Sequence, residues 1–240
     1  MAISSFAANS ASDNASIANY PGGSASWVGG SNGGTGFGAW SFSATGNGGH
    51  FIGGTGENDN PSFGLFAGGT GATDLSSADR PFTGGALAAG QSFTLDLGAT
   101  ANVTAGDVGF NLLAGTTPEF TFKFASGANF WQINDGGSDF DTNLPLVANT
   151  PIHLTFTFNG GFSYSVVATE GATTYTASNF IATNPINGLT GARFFSNQQG
   201  GGENFGFNNM SVSAVPEPAT VLLVGPALLG GMFFVRRRRA

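Results

Sequence analysis

The densest group of side chains that could bind a metal ion lies between residues 135 and 141. Asp135, Asp139 and Asp141 place three carboxylates within seven positions. Ca²⁺ takes about six to eight oxygen ligands, and closely spaced aspartates in a loop can supply several of them. The spacing does not match an EF-hand loop, because Gly137 stands where a ligand is expected. We therefore expect a solvated acidic turn and no metal site, with calcium binding as the alternative.

The nearest approach to a catalytic motif is a pair of acids suited to glycoside hydrolysis. Glu57 and Asp59 match two acids of the Glu-x-Asp-x-x-Glu strand of jelly-roll hydrolases, but Ser62 replaces the third. Pro61 also disfavours a central strand there. The chain has no cysteine, which excludes a thiol nucleophile and thiolate metal ligands. We expect no catalytic residue and hence no enzyme, with a glycoside hydrolase as the least favoured alternative.

Two glycine-rich patterns carry little chemical information. Residues 29–33 fit the nucleophile elbow G-x-S-x-G, but that elbow needs a strand before it and a helix after it. Residues 34–39 fit a permissive dinucleotide fingerprint without a βαβ unit around it. We interpret both as loops and expect no cofactor.

Histidine, aromatic and arginine side chains are the remaining candidates. His50 and His153 have no second nitrogen or thiolate ligand nearby in the sequence. Arg80 and Arg193 are more plausibly paired with carboxylates than bound to a ligand. Aromatic side chains could form a sugar-stacking platform, although in phenylalanine-rich strands they more often belong to the core. The tryptophans and tyrosines concerned are Trp27, Trp40, Trp131, Tyr20, Tyr164 and Tyr175.

Charge and composition exclude some classes of partner. Residues 1–218 contain fourteen acidic residues against three basic ones, Arg80, Lys123 and Arg193, which leaves eleven net negative charges. Such a surface repels phosphate backbones, so we expect no nucleic-acid binding. Forty glycines, with abundant asparagine, serine and threonine, favour turns and short strands over helices.

Alternation of apolar and polar residues predicts the elements that must position these groups. The clearest case is a hairpin over Ile152–Ala168 whose turn is Asn159-Gly160-Gly161, a loop suited to a G1 bulge. Many short strands with one apolar face indicate a two-sheet antiparallel sandwich or a barrel. The other predicted strands are Trp27–Val28, Ala39–Ser43, His50–Ile52, Phe63–Ala67, Gln91–Leu97, Val108–Leu112, Phe120–Phe124, Thr173–Ser178, Ala192–Ser196 and Phe205–Val212.

The last part of the chain has the pattern of a membrane helix with a fixed orientation. Residues 219–235 carry no charge, and as a helix they would span about 26 Å, the short end of what crosses a bilayer. The basic residues that follow would hold the C-terminus in the cytoplasm. They are Arg236, Arg237, Arg238 and Arg239. Residues 1–218 would then lie on the far side of the membrane.

The motif Pro216-Glu217-Pro218 directly precedes this apolar segment. The three parts together resemble the PEP-CTERM sorting signal of bacterial exported proteins. The resemblance implies processing by exosortase, a membrane-embedded cysteine transpeptidase, and a link to exopolysaccharide production. An ordinary tail anchor is the alternative. Because residues 1–19 contain neither a basic nor a long apolar segment, we expect the true start, with its signal peptide, to lie upstream.

Residues 63–213 are similar to the concanavalin A-like jelly-roll domains often found ahead of this signal. The resemblance rests on Phe63–Phe66, Arg80–Phe82, Gly90–Phe93 and Arg193–Asn197, followed by Asn204–Val212. We therefore expect an all-β, two-sheet antiparallel jelly-roll sandwich followed by one C-terminal transmembrane helix. The expected organisation is a flexible segment over 1–19, the sandwich over 20–213 and the sorting signal over 214–240.

The function expected from the sequence is that of an exported protein of the bacterial cell envelope. We expect a non-enzymatic structural or adhesive component of the extracellular polysaccharide matrix, with a lectin-like protein, with or without calcium, as the alternative. An exposed aromatic beside a concave sheet would favour the lectin, and facing carboxylates in a groove would favour the hydrolase. A flat polar surface would leave the structural role.

Overall fold

The computed structural model describes residues 10–54, 60–69, 73–101, 103–186, 188–198 and 203–213. These parts of the chain form fifteen β-strands and one short 3₁₀ helix, Gly23–Ser26. The strands are β1 (Ala11–Asp13), β2 (Ser41–Thr45), β3 (Gly48–Gly53), β4 (Ser62–Ala67), β5 (Leu75–Pro81), β6 (Ser92–Ala99), β7 (Asp107–Ala114), β8 (Thr117–Ala125), β9 (Gln132–Asn134), β10 (Phe140–Asp141), β11 (Ile152–Gly160), β12 (Ser163–Glu170), β13 (Thr173–Ile181), β14 (Leu189–Asn197) and β15 (Phe205–Val212).

The strands form two antiparallel sheets. The eight-stranded sheet has the order β13-β12-β11-β6-β15-β4-β3, with β1 also paired to β15. The seven-stranded sheet has the order β10-β9-β8-β7-β14-β5-β2. Strands distant in sequence are neighbours in both sheets, since β14 lies between β5 and β7 and β15 lies between β4 and β6. The predicted all-β jelly-roll sandwich is confirmed.

The core between the sheets is built from the apolar residues of the alternating strands. Phe93, Leu95 and Leu97 of β6 are buried, as are the inward phenylalanines of β8. Phe194 of one sheet stacks on Phe207 of the other, with ring centroids 3.8 Å apart. Such aromatic pairs stabilise a fold by about 0.5–1.5 kcal/mol beyond their area burial. A chain without disulfides is held together by this packing.

The predicted hairpin is confirmed in detail. β11 pairs with β12 throughout, and the register shifts between Phe158 and Gly160. Gly160 and Gly161 have φ angles of 108° and 58°, a region that favours glycine. The prediction of a strand at Trp27–Val28 is wrong, because a 3₁₀ helix ends at Ser26 and Trp27 inserts its ring into the core.

The N-terminal boundary of the sandwich differs from the predicted one. Residues 11–13, assigned from the sequence to a flexible segment over 1–19, form β1 and pair with β15. Asp13 forms an ion pair with Arg80 over 2.8 Å, and both side chains are 0% exposed. The Tyr20 hydroxyl donates to Asp13 over 2.7 Å, and the Trp40 indole donates to Tyr20 over 2.7 Å. Residues 11–20 therefore belong to the domain.

This buried network explains why a polar N-terminal segment packs into an apolar core. Burial and the neighbouring Asp13 raise the pKa of the Tyr20 phenol above its usual range, so the phenol stays protonated and remains a donor. The Arg80 guanidinium lies 4.8 Å from the centroid of the Trp40 ring. The segment supplies the counter-ion that a buried arginine needs.

Residues 214–240 lie outside the described parts of the chain. The motif Pro216–Pro218, the membrane helix over 219–235 and the arginines at 236–239 therefore remain predictions. Within the described ranges, no helix has both the length and the apolar character needed to cross a membrane.

Candidate functional site

The three aspartates of the acidic loop have separate partners. Asp135 is buried and accepts hydrogen bonds from the Tyr164 hydroxyl over 3.0 Å and from a backbone N–H over 3.3 Å. Asp139 pairs with Lys123 over 2.8 Å, and Asp141 accepts from the Gln132 amide over 2.9 Å. In the described part of the chain, no group of three or more histidine or acidic side chains is placed to hold a metal ion.

We expect calcium to leave the melting temperature unchanged, both for the wild-type protein and for Asp139→Ala. Burial acts to raise the pKa of Asp139, but hydrogen bonds from Lys123 and Asn134 lower it overall, so the carboxylate is ionised and already paired. Loss of this partly exposed ion pair should cost at most about 1 kcal/mol. Thermal unfolding with millimolar calcium or with chelator is the measurement. A calcium-dependent stabilisation that disappears in Asp139→Ala would contradict this interpretation.

The other sequence candidates divide between core and surface. Burial lowers the pKa of His50, whose ring stacks on Phe42 with centroids 3.9 Å apart. His153 lies on the outer face of the eight-stranded sheet and is bonded to Asp96. The three tryptophans are at most 1% exposed, and Tyr20 and Tyr164 are buried as well. These aromatic side chains are core residues, as expected, and form no stacking platform. Residues 57 and 59 lie outside the described ranges.

A groove crosses the outer face of the seven-stranded sheet. Its volume is about 570 Å³, and five neighbouring strands contribute to it, from β2 at one side to β8 at the other. Five strands at about 4.8 Å spacing give a span of about 19 Å. Its lining includes Ser43, Ser77, Asn111, Thr121, Phe195 and Asn197.

The strand register places polar residues side by side on this face of the sheet, and three of them, Arg193, Asn111 and Thr121, line the groove. One row runs through consecutive cross-strand partners on six neighbouring strands. Such a row extends over about 24 Å, because neighbouring strands lie about 4.8 Å apart. In order, its members are Ser41, Asp79, Arg193, Asn111, Thr121 and Asn134. We call this set the polar row.

A second set of cross-strand partners lies beside the polar row. It runs from Ser77 through Phe195 and Gly109 to Lys123. Phe195 is only 7% exposed, so its ring belongs to the floor and offers no open face for stacking. A Cβ at Gly109 would overlap the Phe122 carbonyl oxygen and lie 2.7 Å from the Lys123 Cα, so glycine is needed where these two strands approach each other.

Short hydrogen bonds fix the polar groups of the groove. Arg193 binds Asp79 in a bidentate pair, with its Nε and Nη2 atoms donating over 2.8 and 2.7 Å. These bonds raise the pKa of the Arg193 guanidinium. The Thr121 hydroxyl donates to the Asn111 amide oxygen over 2.7 Å. The Asn197 amide donates to Asp107 over 2.8 Å. The groove therefore presents preorganised donors and acceptors.

The carboxylates at the groove are not arranged for glycoside hydrolysis. Asp79 lies opposite Arg193 and Asp107 lies opposite Asn197, on the two sides of β14. Four residues along a strand correspond to about 13 Å, whereas retaining and inverting glycosidases use carboxylates about 5–9.5 Å apart. Asp79 and Asp107 thus do not form the facing pair that would favour the hydrolase.

The sequence did not single out this groove. Its side chains come from five strands and are up to 154 positions apart, from Ser43 to Asn197, and each strand by itself shows an ordinary polar outward face. One signal was present: Lys123 and Arg193 are two of the three basic residues before position 219, and both line the groove.

No protein-family model matches the chain. No curated protein matches it either. Among solved structures, it is similar to the galectin LEC-6 of Caenorhabditis elegans, at 18% identity and a TM-score of 0.41 over 56% of this chain and 89% of that one. It is also similar to a carbohydrate esterase of the Shiga toxin-encoding bacteriophage phi24B, at 14% identity and a TM-score of 0.48 over 74% of this chain and 90% of that one.

The globular domain of T. cruzi calreticulin gives 10% identity and a TM-score of 0.48 over 92% of this chain and 93% of that one. At such identities the likeness is one of overall β-sandwich architecture. What the groove binds has to be argued from its own residues.

Proposed function

We propose that the chain is an exported, adhesive component of the cell envelope that binds a polysaccharide along the groove of its seven-stranded sheet. The observation that carries this proposal is the polar row, in which six hydrogen-bonding side chains are cross-strand partners in succession. In this proposal the protein binds the polysaccharide without cleaving it and is not an enzyme.

The chemistry of the groove favours a polyhydroxylated ligand. Sites for drug-like molecules are mostly apolar, but here serine, threonine, asparagine and charged side chains dominate. Of the two large apolar residues in the lining, Phe195 is buried and Leu75 is 38% exposed. Amides and hydroxyls that are held in place can both donate to and accept from sugar hydroxyls, and carboxylates can accept from them. The negative charge of residues 1–218 disfavours nucleic acid.

The dimensions of the groove favour a chain of sugars over a single sugar. Its span of about 19 Å across five strands leaves room for several units. A second depression of about 450 Å³ adjoins it on the same face, beyond the Asp79–Arg193 pair. A purely structural role would require no such groove, so the adhesive role is favoured.

The resemblance of residues 214–240 to a sorting signal supports polysaccharide binding outside the inner membrane. We infer that Pro216-Glu217-Pro218 is recognised by an exosortase while residues 219–235 hold the chain in the inner membrane. Arg236–Arg239 keep the C-terminus cytoplasmic, and the sandwich faces the outside. The natural ligand would then be exopolysaccharide in the matrix around the cell.

A glycan array tests the binding proposal. The epitope-tagged full-length chain, in mild detergent, should bind at least one polysaccharide or long oligosaccharide equally well with calcium and with chelator. A tag is needed because Lys123, the one lysine of the chain, lines the groove and would react with amine labels.

Paired variants assign the binding to the groove. Thr121→Val with Asn197→Ala, at two half-buried positions of the groove, should weaken binding about thirtyfold, because two lost hydrogen bonds cost about 2 kcal/mol together. The control is Asn159→Ala on the opposite sheet, which should bind like wild type. The proposal would be overturned if no glycan on the array is bound, or if the groove variant and the control variant lose the same amount of glycan affinity.

A further inference from the structure

Building on the proposed glycan-binding role, we propose that the groove selects uncharged polysaccharides over acidic ones. Two ion pairs at the groove, Lys123–Asp139 and Arg193–Asp79, produce this selectivity. They occupy the cations that would otherwise attract the carboxylates of uronic acids or of pyruvylated sugars.

Cations accessible to a ligand are scarce in the described part of the chain. Of its three basic residues, Arg80 is 0% exposed and already paired. Lys123 and Arg193 are 19% and 30% exposed and line the groove. Each has an aspartate oxygen within 2.8 Å. Any anionic ligand in the groove therefore has to compete with a carboxylate that the protein itself supplies.

This competition gives an acidic sugar little advantage. When a ligand carboxylate replaces Asp79 or Asp139, one ion pair is exchanged for another and the displaced aspartate is left unpaired beside the ligand. The bidentate geometry of Arg193 makes its pair the harder one to replace, since two parallel hydrogen bonds must be broken.

The surrounding charge acts in the same direction. Asp107 also lines the groove, and its described partner is the neutral Asn197 amide. Residues 1–218 carry eleven net negative charges. A polyanion approaching the groove is repelled by this field, whereas a neutral polysaccharide is not.

Polymers that share a backbone and differ in charge are suitable probes. We would compare dextran with carboxymethyl dextran, hydroxyethyl cellulose with carboxymethyl cellulose, and methyl-esterified with de-esterified homogalacturonan, using the full-length chain at low and moderate salt. In each pair that is bound, the neutral polymer should bind at least about ten times more tightly than the acidic polymer at low salt. Added salt should reduce this difference in affinity, because it screens the repulsion between the acidic polymer and the negatively charged protein.

Variants that release a cation provide the sharper test. Asp139→Asn frees Lys123, and Asp79→Asn frees Arg193. Both should strengthen binding to the acidic polymers by about fivefold or more. Asp139 lies outside the polar row, so Asp139→Asn should change binding to the neutral polymers little, whereas Asp79→Asn alters a member of the row and should weaken it. Asp96→Asn on the opposite sheet is the matched control, since it changes net charge equally without releasing a groove cation. We expect it to leave the preference unchanged.

The outcomes separate this inference from the function on which it rests. If wild type prefers the acidic member of each bound pair, or if Asp96→Asn acts as strongly as the groove variants, the selectivity proposal is wrong while glycan binding stands. If no polymer in this set and no glycan on the array is bound, the binding role itself is wrong and the selectivity proposal is overturned with it.

Discussion

Replacing Arg80 by Met is expected to lower the free energy of unfolding by about 3–5 kcal/mol. The side chain is fully buried and forms an ion pair with Asp13. Its removal leaves a buried carboxylate without its cation, and it also takes away hydrogen bonds to the carbonyl oxygens of Gly33 and Gly38. Methionine keeps most of the apolar volume, so the loss reports the missing charge together with its hydrogen bonds.

Arg193→Met is the matched control. Arg193 also pairs with an aspartate, but its side chain is 30% exposed, so we expect a loss of at most about 1 kcal/mol. Urea unfolding of the two variants measures the difference. The double variant Asp13→Asn with Arg80→Met should recover part of the loss, because it removes the uncompensated charge. Equal losses for the two arginine variants would contradict the structural role of the buried pair.

Glu217→Ala is expected to abolish processing of the C-terminus. Glu217 is the single charged residue of Pro216-Glu217-Pro218, and we expect the flanking prolines to favour an extended backbone suited to capture by an active site. A helix over residues 219–235 would be weakened by Gly225, Pro226, Gly230 and Gly231, which would make it easier for a protease in the membrane to open.

The measurement is to express the protein with a secretion signal beside an exosortase and to follow its C-terminal fragment. Wild type should lose the fragment, and Glu217→Ala should remain a full-length membrane protein. Asp107→Asn, which removes one carboxylate outside the signal, is the control and should be processed like wild type. If wild type and Glu217→Ala both keep the fragment, the segment is a simple anchor.

The strands that could be predicted are those whose buried face is apolar. Phe120, Phe122 and Phe124 alternate with polar residues, and so they identify β8 from sequence alone. β5 was missed because its inward residues are Ser76, Ala78 and Arg80, which look like a polar stretch. The Ser76 hydroxyl donates to the Gly49 carbonyl oxygen and Arg80 pairs with Asp13, and a single sequence does not show those neighbours.

The start of the domain could not be predicted for the same reason. β1 contributes Ala11 and Asp13 to the interior, and its burial depends on Arg80, which lies 67 positions later. A segment rich in serine, alanine and asparagine resembles a flexible terminus until its partner is known. Burial of an ion pair is a tertiary effect that local propensity does not encode.

The groove could not be predicted, because it depends on strand order. Asp79, Arg193 and Asn111 lie in strands β5, β14 and β7, whose adjacency follows from the jelly-roll topology. The alternation of polar and apolar residues indicates that each side chain faces outward, yet it does not say which outward residues meet. Register supplies that information.

The central claim is tested most directly by titrating the protein with the glycan that it binds on the array and following its backbone amide chemical shifts. On titration, the shifts should move at residues of the groove, including Thr121, Arg193 and Asn197. Those on the outer face of the eight-stranded sheet, such as Thr94 and Thr155, should stay in place. Perturbations centred on the eight-stranded sheet, or no perturbation at saturating glycan, would contradict the assignment of binding to the groove.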